Sequence, residues 1–177
     1  MTRTRLAAGH PFPKIEVPRH GGGTLTLGQA ETAGNWRMVV VYRGKHCPIC
    51  TRQLTELKEK LGDFNGQGVE VVAVSADSAE RAEAQLGEIA PNFPVGYDLS
   101  VAQMEELGLY ISDPRSPKES DRPFAEPGLF IVNDKGQLQI ADTSNAPFAR
   151  PSFDALLKGI AFVRDPANDY PIRGTHA

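Results

Sequence analysis

Two short runs constrain the fold more than anything else in the chain. Met38-Val39-Val40-Val41-Tyr42 is apolar at five successive positions, and Val69-Glu70-Val71-Val72-Ala73-Val74 nearly so. Successive residues of a strand face opposite sides, so a run apolar on both faces belongs inside a sheet covered above and below. Gly34-Asn35 and Arg43-Gly44 bound the first strand, which spans Trp36 to Tyr42. Between the two runs the period changes. Leu54, Leu57 and Leu61 follow a 3-then-4 spacing among Glu56, Lys58, Glu59 and Lys60, as in an amphipathic helix. That helix is expected to fray over 62–66, between two glycines.

The remaining chain continues the alternation. Thr24 to Leu27 reads as a short edge strand ended by Gly28. Asp77 or Ser78 caps a helix that buries Ala79, Ala82, Leu86 and Ile89, with Glu80 completing a capping box to Asp77. A short strand is expected around Phe93-Pro94-Val95. Ser100 and Gln103 form a second capping box, opening a helix with Val101, Met104 and Leu107 inward and Gly108 as its stop. Residues 110–127 carry Pro114, Pro117, Pro123 and Pro127 and read as a polar loop. Leu129 to Asn133 and Gln137 to Ala141 form a hairpin around Asp134-Lys135-Gly136, and a last helix runs from about Pro151 to Val163. The architecture expected is α/β, a mixed sheet covered on both faces, with the sheet order left open. Residues 1–23 are assigned to an extended leader, because Pro11, Pro13 and Pro18 forbid a helix. Residues 24–164 form the domain, and 165–177 a polar tail.

Composition adds limits. With 177 residues, 40% of them hydrophobic, and a net charge of −3, the chain can build one core and is not a disordered one. Its mild acidity gives nucleic acid or an anionic membrane no electrostatic hold. No apolar segment follows Met1-Thr2-Arg3-Thr4-Arg5 that could act as a signal peptide, so a cytoplasmic protein is expected. In that compartment a bare Cys-x-x-Cys is catalytic or metal-binding rather than structural.

The chain's two cysteines, Cys47 and Cys50, stand where the first buried strand ends and the helix begins. A thiolate is the reactive form of cysteine, and a helix N-terminus favours an anion through its unpaired amides and dipole. Pro48 suits the first helical turn, having no amide to leave unbonded. Arg43, Lys45 and a protonated His46 would add to the positive field. Cys50 lies one turn on, where its sulfur can meet that of Cys47. Such a pair can attack a disulfide and release itself by closing internally. Two other readings compete. A zinc site would need ligands from His10, His20, His46, His176 or carboxylates, and no histidine pair has ligand spacing. Two inert buried cysteines would be small hydrophobes, against which the basic flanks argue.

Tyr42-Arg43-Gly44-Lys45-His46-Cys47-Pro48-Ile49-Cys50, after Val39-Val40-Val41 and before an amphipathic helix, resembles the peroxiredoxin-like branch of the alkyl hydroperoxide reductase/thiol-specific antioxidant superfamily. Pro127-Gly128-Leu129-Phe130-Ile131-Val132 and Asp134-Lys135-Gly136 extend the resemblance, which covers about Gly23 to Val163. It implies a thioredoxin-like, peroxiredoxin-type fold: three layers, α/β/α, around a central mixed sheet. In the peroxiredoxin pattern the peroxide-attacking cysteine registers on Cys50, but Arg43 and Cys47 stand where that pattern has Pro and Thr. Its arginine before the later strand registers on Pro127, leaving Arg115 and Arg122 of the long loop as substitutes. In the thioredoxin pattern Cys47 attacks and Cys50 resolves, and Pro127 matches a cis-proline facing the cysteines. The buried carboxylate of that pattern registers on Val41, so His46 or Glu126 would have to accept a proton.

The resulting expectation is a thiol-dependent oxidoreductase, an antioxidant enzyme. It cycles Cys47 and Cys50 between dithiol and disulfide, reducing peroxides or protein disulfides without a bound cofactor or metal. Arg43 is the candidate for thiolate stabilisation, His46 for acid/base work and Pro127 for support. The resemblance implies a thioredoxin- or glutathione-type electron donor and allows a homodimer. A redox sensor or binding module on the same fold, with little turnover, is the alternative. Which sulfur attacks first is left open by the residues.

Overall fold

The computed structural model describes residues 6–176. The strand β1 (Glu16–Pro18) folds back antiparallel on β2 (Thr24–Thr26). Gly21, Gly22 and Gly23 between them all have positive φ, at 85°, 111° and 83°, a region side chains with a Cβ resist. Then come β3 (Trp36–Val41), α1 (Pro48–Gly66), β4 (Val69–Val74), α2 (Ala79–Ile89) and β5 (Val95–Gly96). After these lie α3 (Val101–Glu106), β6 (Ile111–Ser112), β7 (Phe124–Ala125), β8 (Gly128–Val132), β9 (Leu138–Thr143) and α4 (Phe153–Arg164).

Five strands make one sheet in the order β5-β4-β3-β8-β9. β3 lies in the middle, parallel to β4 and antiparallel to β8, with Val41 opposite Val74 on one side and Gly128 on the other. Its alternating residues enter two cores. Met38, Val40 and Tyr42 pack with Leu54, Leu57 and Phe64 of α1, Leu86 of α2 and Phe153 and Ile160 of α4. Val39 and Val41 face the other way, onto Leu25 and Leu27, Met104 and Leu107 beside α3, and Phe124. The mixed α/β sheet covered on both faces is therefore as the sequence pattern implies. No described helix is long and apolar enough to cross a membrane.

Within the stretch assigned to an extended leader, Ile15 and Val17 are buried, at 1% and 2% exposure. Three local expectations are corrected. α1 runs through Gly62 to Gly66. A mid-helix glycine costs about 1 kcal/mol, whereas burying an aromatic such as Phe64 returns roughly 1.5–3 kcal/mol, so the helix persists. Val101 lies exposed, because α3 buries Met104 and turns its first residue outward. The stretch 110–127 is not loop throughout: β6 and β7 pair across it, Ile111 opposite Ala125.

Candidate active site

α1 begins at the end of the central strand, and Cys47 is its N-cap. The intervening loop turns at Gly44, whose φ of 128° is outside the range of ordinary side chains. A Cβ there would meet both carboxylate oxygens of Asp77 at 2.7 Å. That closeness has a purpose: buried Asp77 accepts from the Lys45 amide (2.7 Å) and from Arg81 Nε (3.1 Å), tying the loop to α2. Of the two cap candidates, Ser78 is the N-cap, and Asp77 reaches across to the cysteine loop in place of a capping box with Glu80.

Cys47 and Cys50 are both free thiols, exposed by 1% and 0%. The Cys50 amide donates to the Cys47 carbonyl (3.0 Å) and to Cys47 Sγ (3.3 Å), so the first sulfur sits on the open end of the helix. The two environments pull the thiols apart. A hydrogen bond from the Cys50 thiol, the Cys50 amide, the Arg43 guanidinium and the charge of Arg150 outweigh burial at Cys47, bringing it down to about 6. Burial, together with its bond to Cys47, pushes Cys50 far above the ordinary thiol range.

Arg150 is the residue that sequence reasoning missed. From the loop between β9 and α4 its Nη2 lies 3.0 Å from Cys50 Sγ and 3.8 Å from Cys47 Sγ. Its Nη1 donates to Gln53 Oε1 and its Nε to the Pro147 carbonyl, which fix the guanidinium. The only sequence trace is a cation between Pro147 and Pro151 at a helix entry, a hundred residues from the cysteines. Arg115 and Arg122, the expected substitutes, are engaged elsewhere. Arg115 bonds Glu119, and Arg122 bonds Asp98 and Asp121.

Arg43 lies beside Cys47, with its guanidinium carbon 5.0 Å above the Phe124 ring. Its Nε is 3.0 Å from Glu126 Oε2, an ion pair set off the hydrogen-bond line. Glu126 is 5% exposed, and its other oxygen accepts from the Ser112 hydroxyl at 2.7 Å. His46 packs against the same Phe124 ring, centroids 4.5 Å apart and planes tilted by 59°, with neither ring nitrogen hydrogen-bonded. Burial, and then the charge of Arg43, lower its pKa, so it is neutral at pH 7 and adds no charge to the field. Tyr42 is fully buried in the core.

Pro127 is buried, but its peptide bond is trans, as are all the described ones, which corrects the cis-proline match. β7 and β8 follow one another as nearly continuous extended chain. Glu126 N bonds the Tyr110 carbonyl on one side of Pro127 and the Pro127 carbonyl accepts from Ser144 N on the other. A cis bond would turn the chain out of that path. Among the described residues no group of three or more His, Cys, Asp or Glu is placed to hold a metal ion.

Residues 8–141 match the AhpC/TSA family model. A protein of Mycobacterium tuberculosis that carries a peroxiredoxin name is 27% identical over 142 residues, covering 80% of this chain and 88% of that one. A thiol-disulfide oxidoreductase of Halalkalibacterium halodurans is 23% identical over 137 residues, covering 77% and 68%. In fold, the chain is similar to peroxiredoxin 6 of Arenicola marina, with a TM-score of 0.76 at 20% identity over 92% of this chain and 75% of that one. A peroxiredoxin-like protein of Aquifex aeolicus gives 0.73 at 17% identity, over 89% and 88%.

Proposed function

The chain belongs to the AhpC/TSA family and is a thiol-dependent oxidoreductase; from that premise we propose that it reduces hydroperoxides with Cys47 attacking and Cys50 resolving. One observation carries this reading: the two sulfurs differ. Cys47 caps the helix N-terminus, where the Cys50 amide donates to its sulfur and Arg43 favours the anion, whereas Cys50 lies one turn in and fully buried, which favours its thiol. The Cys47 thiolate attacks the terminal oxygen of the hydroperoxide. The oxygen–oxygen bond breaks, the sulfur becomes a sulfenic acid, and an alkoxide leaves to take a proton from solvent. Cys50 then attacks Cys47, the sulfur–sulfur bond forms, and water carries away the sulfenic oxygen with the Cys50 proton. A thioredoxin- or glutathione-type donor returns two electrons by thiol–disulfide exchange. We place this cycle in the cytoplasm, where such donors keep thiols reduced.

Burial favours a small oxidant. With Cys47 at 1% exposure, a hydroperoxide reaches the sulfur with less opening than a protein disulfide needs. Protein disulfide is the second reading, supported by the Cys-x-x-Cys pair itself, whose second thiol can release a mixed disulfide. The test traps the first intermediate. With Cys50→Ser, stoichiometric hydrogen peroxide should leave a sulfenic acid on Cys47, detected by mass spectrometry, and Cys47→Ser should give none. Sulfenic acid on Cys50 in the Cys47→Ser protein would reverse the order. Reaction with hydrogen peroxide and with an alkyl hydroperoxide no faster than free cysteine would end the peroxidase reading.

A further inference from the structure

Glu126 is a buried carboxylate that the reaction above does not use. It sits between β7 and β8, 5% exposed, and its named partners are the Ser112 hydroxyl and the Arg43 guanidinium. A carboxylate desolvated to this extent is costly unless paired, so its position ties it to Arg43. Arg43 in turn pairs with the Glu126 carboxylate, its Nε 3.0 Å from Oε2, and its guanidinium also interacts with the Cys47 sulfur. Phe124 carries the guanidinium from below. The Arg43 side chain is 17% exposed, so without a clamp it has open water to turn into.

We propose that Glu126 is the positioning residue of this site: its carboxylate holds the Arg43 guanidinium against the Cys47 sulfur. The proposal rests on the reading that Cys47 is the attacking thiol. Two effects of Glu126 on Cys47 have opposite signs, and that makes the proposal decidable. As a bare negative charge, Glu126 disfavours a second anion nearby. As a clamp, it favours the thiolate by keeping a cation beside it. The other groups facing Cys47 are Cys50 of the same helix and Arg150 of the loop before α4. Arg43 also faces His46, which is neutral at pH 7. The named partners of Glu126 are Arg43 and Ser112, so the bonds of Cys50 and Arg150 to the Cys47 sulfur remain when it is changed. When Cys47 enters a disulfide it ceases to be an anion, and Glu126 keeps Arg43 in place for the next cycle.

The experiment follows the pH dependence of Cys47 alkylation by iodoacetamide in the full-length reduced protein, with the modified residue confirmed by mass spectrometry. Glu126→Ala should raise the midpoint by about one pH unit, the lower end of what one adjacent opposite charge supplies, and slow alkylation at pH 6 about fivefold. Glu126→Gln keeps an acceptor for Ser112 but removes the charge that pairs with Arg43, so its midpoint should also rise, by less than that of Glu126→Ala. Adding Glu126→Ala to Arg43→Ala should change nothing further, because the first acts through the second. A midpoint that falls in both Glu126 variants would make Glu126 a charge and overturn the proposal. So would a Glu126→Ala effect that persists in the Arg43→Ala background. A fold defect would show as a shifted thermal melt, and would lower Cys47 and Cys50 protection together instead of moving one midpoint. Because alkylation needs no turnover, this test can fail while the peroxide trapping succeeds, and the reverse.

Discussion

A cysteine becomes a nucleophile by what touches its sulfur, and here the contacts of two cysteines three residues apart divide the work. Cys47 takes the helix amide, the Cys50 thiol and two guanidiniums, and its thiol falls to about 6. Alkylation of the reduced protein should therefore rise with pH through a midpoint near 6, well below the ~8.5 of a free thiol. A midpoint at or above 8 would show that these contacts do not hold the thiolate. Arg150 acts on the other sulfur. At 3.0 Å from Cys50 Sγ against 3.8 Å from Cys47 Sγ, it favours the anion that must develop on Cys50 as the disulfide closes. Arg150→Ala should slow closure about tenfold, roughly 1.4 kcal/mol of barrier, while slowing peroxide attack less. Rapid-quench kinetics with thiol counting separate the two steps, and an equal loss in both would refute this division. The cysteines, Arg43 and His46 were visible in the sequence because they lie within eight residues of one another. Arg150 was not, because no local pattern says that a proline-flanked loop a hundred residues on will return to the same helix end.

The element that matters most is the joint between β3 and α1. A strand fully buried on both faces leads, through residues 42–47, into a helix whose cap and first turn carry the reactive pair, so the site is anchored on the sheet centre. The joint depends on Gly44 for its φ and on Asp77 for its hydrogen bond to Lys45. Gly44→Ala would force an unfavourable backbone region, at about 1–3 kcal/mol, and press a methyl group onto the Asp77 carboxylate. The urea midpoint of the reduced protein should fall accordingly, and alkylation of Cys47 should slow as the helix start shifts. An unchanged midpoint would mean the loop relaxes freely and does not set the site. Strand and helix identities on both sides of this joint were legible from hydrophobic period alone. The role of Asp77 was not. Asp77-Ser78-Ala79-Glu80 fits a capping box at Asp77 and a plain cap at Ser78 equally well, and a contact across 32 residues decides between them.

Across the whole molecule the alternation of elements fixed the class of fold, but not which strands meet. Apolar residues on both faces of β3 imply neighbours above and below, and say nothing about those beside it. The pairing with β8, which brings Glu126 to Arg43, is long-range and has no counterpart in local pattern. The same site feeds back on the stability of the chain. A thiol depressed to about 6 in the folded state and near 8.5 when unfolded binds more protons unfolded between those values, so stability rises with pH across that window. The contribution is fully present above about 8.5, declines as pH falls, and is lost below 6; its size is at most roughly 3 kcal/mol. Cys50, raised instead, titrates only above this window in the folded protein and counts against stability once the unfolded thiol ionises. Reduced wild type should thus gain stability over Cys47→Ala between pH 5.5 and 8, and the disulfide form, with neither thiol to titrate, should show no such gain. Urea unfolding of the three proteins at both pH values measures the difference directly. If reduced wild type and Cys47→Ala keep a constant gap, the thiolate of Cys47 is not bound more tightly by the fold than by water, and the asymmetry on which the order of attack rests is gone.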